Sequence, residues 1–319
     1  MLTVRTPAKC IWVGEQFVRH TGAVVSAVDL YVTAEATLDL GLADVQLEAD
    51  ADGHRVFAAV ARELQHRPLS YRVHLVNAIP TRVGLGTSSA LIVTCVALLR
   101  ALQGEPCGRR AIFDAALRIE RAFLGDAVSG VDTCACVYGG THFYASADVP
   151  PVPLYRQYPS HVCLIPSGLP HEASCAEALT GEGVAHMTAL VARFRALRRP
   201  DDDLGAMLGE AHALLRAEGL SAPAVDALVY QRFGGHAKVT GRGRGGCVLA
   251  LAEGEDATHL HRIVDAGVRV KGNASLHVPG ALQPLGVAMK LNQCLAAGAA
   301  ADGVACSNIA LVKYWGKVG

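Results

Sequence analysis

The sequence has no surplus of charge, with 29 Lys and Arg against 29 Asp and Glu and a formal net charge of +0. A nucleic-acid binder or an anionic-membrane binder needs a basic excess, so both classes are excluded as general partners. No apolar stretch reaches the ~20 residues of a membrane span; the longest candidate, Ala90 to Leu102, is too short. No basic, apolar leader opens the chain, because Met1 to Pro7 runs directly into a strand pattern, and the expected location is the cytoplasm. The ten cysteines contain no C-x-x-C pair, and Cys134-Ala135-Cys136 is the only close spacing. They read as small core residues under reducing conditions rather than a disulfide frame or zinc site. Lysine is scarce too: Lys9, Lys238, Lys271, Lys290, Lys313 and Lys317 are the only ones. In a chain that so prefers Arg, a Lys inside a motif asks for a chemical reason, since ammonium and guanidinium are not interchangeable.

What is present is enough apolar sequence to fold: 51% hydrophobic residues over 319, the size of one large or two modest domains. The chain is organised around Pro80 to Ala90, which contains Gly84-Leu85-Gly86-Thr87-Ser88-Ser89. Before it, Tyr71 to Ile79 alternates like a strand; after it, Ala90 to Leu102 is an apolar helix capped by Ser and Thr. Strand, glycine loop and helix N-terminus together make a corner where freed N–H groups and the helix dipole favour an anion. The alternative is a capped core helix after a tight turn. No Gly-Lys-Ser/Thr closes the loop, so it is not a Walker A loop.

Strands are expected over Val4–Gly14, Ala23–Val28, Leu30–Leu40 and His161–Ser167, and helices over Asp50–Gln65 and Arg109–Leu124. Further helices are expected over Ser174–Leu179, Gly183–Leu197, Leu204–Ala217, Ala222–Tyr230 and Ala257–Ala266, with a last strand at Ala274–His277. The Pro-rich stretch Asp148–Pro159 marks a domain boundary. A second glycine loop, Gly241-Arg242-Gly243-Arg244-Gly245-Gly246, contains a formal G-x-G-x-x-G. A strand rather than a helix follows it, which rules out a dinucleotide fingerprint. Lys9 precedes an apolar run that ends at Glu15, and on spacing alone it reads equally as a solvated strand end. Asp132, beside Ser129-Gly130 and before an apolar segment, is either a helix cap or a general base.

Three motifs in order resemble the GHMP kinases: Pro7-Ala8-Lys9 through Gly14-Glu15, Gly84 to Ala90, and Lys238-Val239-Thr240-Gly241 to Gly246. Within that superfamily, Ser129 to Thr133, Tyr138-Gly139-Gly140 and Glu120-Arg121 look most like the mevalonate kinases. The resemblance covers about residues 1 to 280. It implies an α+β, two-domain GHMP kinase fold: a ribosomal S5 domain 2-like N-terminal domain over 1–155 and a ferredoxin-like domain over 156–285. It also implies ATP and Mg²⁺ as cofactors and transfer of a phosphoryl group to the primary hydroxyl of mevalonate. Carried across, Asp132 is the base and Lys9 steadies the hydroxyl and the moving phosphoryl group. Ser88 and Glu120 hold Mg²⁺, with Ser89 as the alternative to Ser88. Gly84, Leu85, Gly86, Thr87, Ser88, Ser89, Ala90, Gly241, Gly243 and Gly245 receive the nucleotide, and Glu15, Gln16 and His20 face the substrate. The physics agrees, since phosphoryl transfer rests on positioning and charge neutralisation. A homodimer is compatible with the resemblance.

Three departures stand out. Gln16 occupies the place of the usual His, Ala127-Val128 replaces a Pro, and Arg242 and Arg244 interrupt a loop that is otherwise Gly and Ala. Two other functions fit the same residues: a sugar kinase of the superfamily, and a non-catalytic domain that kept the fold. The tail, Cys306 to Lys317, is similar to the start of diphosphomevalonate decarboxylase and follows an Ala/Gly-rich linker. It implies a kinase fused to a decarboxylase, with residues 286–319 as linker and truncated second domain.

Overall fold

A computed structural model describes residues 1–154, 158–170, 179–198, 203–251 and 257–272. The chain builds two sheets. The first is seven-stranded and begins with β1 (Leu2–Val13), β2 (Ala23–Leu38), β3 (Gln46–Glu48) and β4 (Tyr71–Asn77). Two short strands, β5 (Thr141–Tyr144) and β6 (Val152–Pro153), extend it through β2. The second sheet uses β7 (His161–Pro166), β8 (Ala237–Val239), β9 (Cys247–Leu251) and β10 (Leu260–Arg262), in the order β10-β7-β9-β8 and antiparallel throughout. The last described strand, β11 (Arg269–Gly272), returns to the first sheet and pairs antiparallel with β1.

Helices α1 (Val18–Thr21), α2 (Ala51–Leu64), α3 (Thr87–Gln103), α4 (Arg109–Leu124) and α5 (Val131–Tyr138) belong with the first sheet. Helices α6 (Gly181–Ala196), α7 (Leu204–Ala217) and α8 (Pro223–Ala227), the last continued by a π turn over Leu228–Arg232, lie between β7 and β8 in the chain. Helix α3 is apolar on every side because every side is buried, the expected outcome for a helix without a polar face. Its one interior hydroxyl pair is satisfied: Thr94 Oγ1 donates to Ala90 O at 2.8 Å and meets Thr6 Oγ1 at 2.7 Å. Helix α2 instead carries one apolar stripe and starts at Asp50, whose carboxylate accepts from Gly53 N at 2.6 Å.

Three expectations change. The strands read separately at Ala23–Val28 and Leu30–Leu40 are one strand, β2, with an irregularity where the register jumps from Pro7↔Tyr31 to Ala8↔Val28. Pro7 has no N–H to give the ladder, and the extra residues Asp29 and Leu30 are accommodated there. The helix expected over Ala257–Ala266 is a single 3₁₀ turn, Ala257–His259, followed by β10. Pairing of Leu260 to Arg262 with Cys163 to His161 overrides the local preference. Residues 131–138, read as an apolar segment after a carboxylate that is either a cap or a base, form α5. The helix expected at Ser174–Leu179 and the strand at Ala274–His277 fall on residues 171–178 and 273–319, outside the described residues, as does the decarboxylase-like tail.

His142 of β5 is 6% exposed, and burial, with Arg109 contributing, pushes its pKa down from 6.5 to about 4. The ring is therefore neutral in the folded chain and protonates more easily when unfolded. Stability from this group is complete above pH 6.5 and is lost as pH falls toward 4. The shift corresponds to about 3 kcal/mol across that window. Urea midpoints measured from pH 7 to pH 4 should fall steeply, and His142→Gln should flatten the decline. An equally steep decline in that variant would assign the acid sensitivity to other groups.

Candidate active site

The site forms where β1 runs beneath the N-terminus of α3. Lys9 N donates to Leu85 O at 3.1 Å, which ties the first glycine loop to the strand. Gly86 caps α3 in the left-handed region, with φ of 76°. A Cβ there would lie 2.8 Å from Lys9 Cγ, so the lysine stem passes over the loop only because residue 86 has no side chain. The second glycine loop, between β8 and β9, backs the first. Cys247 N donates to Val83 O at 2.9 Å, and a Cβ on Gly241 would sit 2.7 Å from the Gly84 Cα. Two backbones this close leave room for glycine only.

Buried among these segments, Lys9 reaches across to α5 and pairs with Asp132 Oδ1 at 2.9 Å. The lysine side chain is 2% exposed and the aspartate 33%, so the carboxylate reaches solvent while the ammonium is buried beside it. Asp132 is not the helix cap: Gly130, at φ 92°, caps α5 and Asp132 lies in its first turn. The loop before α5 is held by Tyr144, whose hydroxyl donates to Ser129 O at 2.6 Å.

Glu120 of α4 is buried, and burial raises its pKa; hydrogen bonds from Ser89 and Thr133 and the charge of Arg242 act in the opposite direction. Ser89 Oγ donates to Glu120 Oε1 at 2.5 Å, and Thr133 Oγ1 donates to Oε2. Among the described residues no hydrogen bond joins Glu120 to Ser88, the serine first paired with it. Successive residues on α3 point to different sides, so Ser89 turns inward to α4 while Ser88 stays exposed. A Mg²⁺ ion takes one or two carboxylates and completes its shell with phosphate and water oxygens. The oxygen donors of Glu120, Ser89 and Thr133, with Asp132 nearby, fit that demand. Among the described residues no group of three or more His, Cys, Asp or Glu comes together as a metal site.

The expected substrate-facing residues go separate ways. Glu15 is buried and pairs with Lys238, whose ammonium also donates to Ile11 O at 3.1 Å. Burial lowers the Lys238 pKa, and Glu15 opposes the shift. Glu15 Oε2 is left buried without a partner among the described residues. Gln16 turns to the second glycine loop, donating from Nε2 to Arg242 O at 3.0 Å. His20 is exposed at the end of α1. Gly243 and Gly245 serve close backbone packing, against Leu220 and against Leu169 and Pro170. Thr87 Oγ1 closes its own loop on Pro80 O at 2.9 Å. Sequence reasoning gave Lys238 and Thr133 no role of their own. The scarcity of lysine was the available signal for the first; nothing local marked the second.

A mevalonate kinase of Aeropyrum pernix is 30% identical over 299 residues, covering 82% of this chain and 91% of the relative. The chain belongs to the mevalonate kinase family. A mevalonate kinase of Archaeoglobus fulgidus is 31% identical, over 78% of this chain and 92% of the relative. The family model for the GHMP kinase N-terminal domain matches residues 54–140, which include the first glycine loop, Glu120 and Asp132. Among solved structures, a mevalonate kinase superposes with a TM-score of 0.69 at 19% identity, over 83% of this chain and all of that one. The fold is thus the two-sheet GHMP kinase fold that the three motifs implied, and the Lys9–Asp132 pair sits at its glycine-loop corner.

Lys238 gives the sharpest stability test here. Removing one partner of a buried ion pair leaves an uncompensated charge, at a cost of about 3–5 kcal/mol. Lys238→Met should lower stability by that order in urea unfolding, and adding Glu15→Gln should restore much of it. Equal stability of single and double variants would show that Glu15 finds another partner.

Proposed function

We propose that the chain transfers the terminal phosphoryl group of ATP to the primary hydroxyl of mevalonate, and the observation that carries the reading is the Lys9–Asp132 pair at 2.9 Å beside the N-terminus of α3. The two glycine loops and the helix end supply N–H donors and positive potential for the triphosphate. Asp132, the more open partner, accepts the hydroxyl proton as the oxygen attacks the terminal phosphorus. A new O–P bond forms, the bond from that phosphorus to the bridging oxygen breaks, and ADP leaves. Lys9, fixed by Asp132 and by the stem contact at Gly86, offers its charge to the oxygen and to the phosphoryl group in flight. Mg²⁺, when bound through Glu120 and its hydroxyl neighbours, would neutralise phosphate charge.

The test is an ADP-release assay on the full chain with mevalonate, a panel of sugars, and no acceptor. The expected result is turnover with mevalonate alone, dependent on Mg²⁺. Turnover with a sugar and none with mevalonate would replace the substrate while keeping the mechanism. Binding of ATP with no turnover on any acceptor would make the chain a non-catalytic member of the fold.

A further inference from the structure

Away from the cleft, where β11 closes on the start of β1, an open cavity of about 300 Å³ is lined by Arg5, Arg262 and Arg269 together with Tyr31 and Asp265. We propose that this cavity binds a small anion carrying phosphate groups, of the size and charge of diphosphate. It shares no lining residue with the catalytic corner.

Arg5 and Arg269 are direct partners in the antiparallel β1–β11 register, so their side chains leave the same face. Like charges directly opposite one another destabilise a strand pair. No carboxylate among the described residues lies within ion-pair distance of Arg5, Arg262 or Arg269, and Asp265, in the same wall, pairs with none of them. An anion held by both arginines would turn an unfavourable pair into a favourable one.

The Arg5 guanidinium stacks on the Tyr31 ring, with Cζ 3.5 Å from its centroid. Stacking engages the face of the group and leaves its in-plane N–H fork free. Arg262 N is held by Asp29 Oδ1 at 3.0 Å. The wall beyond it is fastened to the first sheet: Val264 N donates to Ala27 O at 3.0 Å, and Val264 O accepts from Gly140 N at 2.7 Å. The backbone of that wall is therefore fixed before any ligand arrives.

Three arginines and one aspartate line the cavity, so its charge balance favours a ligand with more than one negative charge. Planar forks match the paired oxygens of phosphate, and the volume lies at the lower end for ligand sites.

The experiment titrates inorganic diphosphate into the full chain by calorimetry, with a non-hydrolysable ATP analogue at saturation to cover the glycine loops. One diphosphate should bind per chain. In Arg5→Gln/Arg269→Gln, binding should weaken about a hundredfold or more, the loss of two charge-assisted bonds. That variant removes a like-charge pair, so its unfolding midpoint without ligand should be unchanged or raised. If it fails to fold, Arg262→Gln alone should weaken binding roughly tenfold. No binding to the wild type under these conditions, or affinity in the variants within about threefold of it, overturns the proposal. Because the readout is binding to the arginine variants, it stands or falls separately from the choice of phosphoryl acceptor.

Discussion

Asp132→Asn should reduce turnover with mevalonate by roughly a thousandfold or more while leaving ATP binding nearly intact. The amide keeps the shape of the carboxylate but accepts a proton far less readily, and general-base catalysis contributes about 10²–10⁴ by itself. It also removes the counter-charge of Lys9, whose side chain is 2% exposed, and so disturbs the group that would steady the phosphoryl oxygens. The two losses act on one transition state, so they do not simply add. In the proposed mechanism ATP affinity would rest on the glycine loops and the α3 N-terminus, none of which hydrogen-bonds to Asp132. Measured kcat, the Kd of an ATP analogue and a thermal melt separate the possibilities. A variant keeping more than about a tenth of wild-type kcat would reduce Asp132 to a structural partner of Lys9.

The parts of this site that could be read from sequence are the parts made by local rules. A glycine loop between an alternating strand and an apolar helix names its own geometry, and α3 follows the loop as that pattern requires. Asp132 and Lys9 were legible as members of ordered motifs, though nothing in either segment says that they touch. Their pairing depends on α5 being laid against β1, a fact of tertiary packing. The same limit explains Ser88 and Ser89. Both stand in the same motif, and only the rotation of α3 against α4 gives Ser89 to Glu120. Glu15 and Lys238 are 223 residues apart, and their ion pair follows from the docking of β8 on the end of β1, where Thr240 Oγ1 also accepts from Ile11 N at 3.1 Å. Gln16, where a His was expected, donates to the backbone carbonyl of Arg242 and so ties the turn after β1 to the second glycine loop, a contact that any residue at position 242 would offer.

Lys9→Arg should be nearly as damaging as Lys9→Ala, each lowering kcat by roughly a hundredfold or more. Charge alone would predict otherwise, since arginine keeps it. The obstacle is the channel: Lys9 passes over Gly86, where even one added carbon would come within 2.8 Å of its stem, and its ammonium ends on Asp132 at 2.9 Å. A guanidinium is longer, planar and wider than that path, so it must either lift the glycine loop or swing away from Asp132. Lifting the loop breaks the Lys9 N to Leu85 O bond and disturbs the N–H cradle, which would raise the KM for ATP. Swinging away leaves the cradle intact and lowers kcat alone. Alanine empties the channel and should act on kcat without the rise in KM. Comparing kcat and KM for ATP in the two variants therefore reports which way the arginine goes. An Arg variant with more than about a tenth of wild-type kcat and an unchanged KM would mean that any cation suffices, and that the tight fit between Lys9 and Gly86 has no part in positioning the charge.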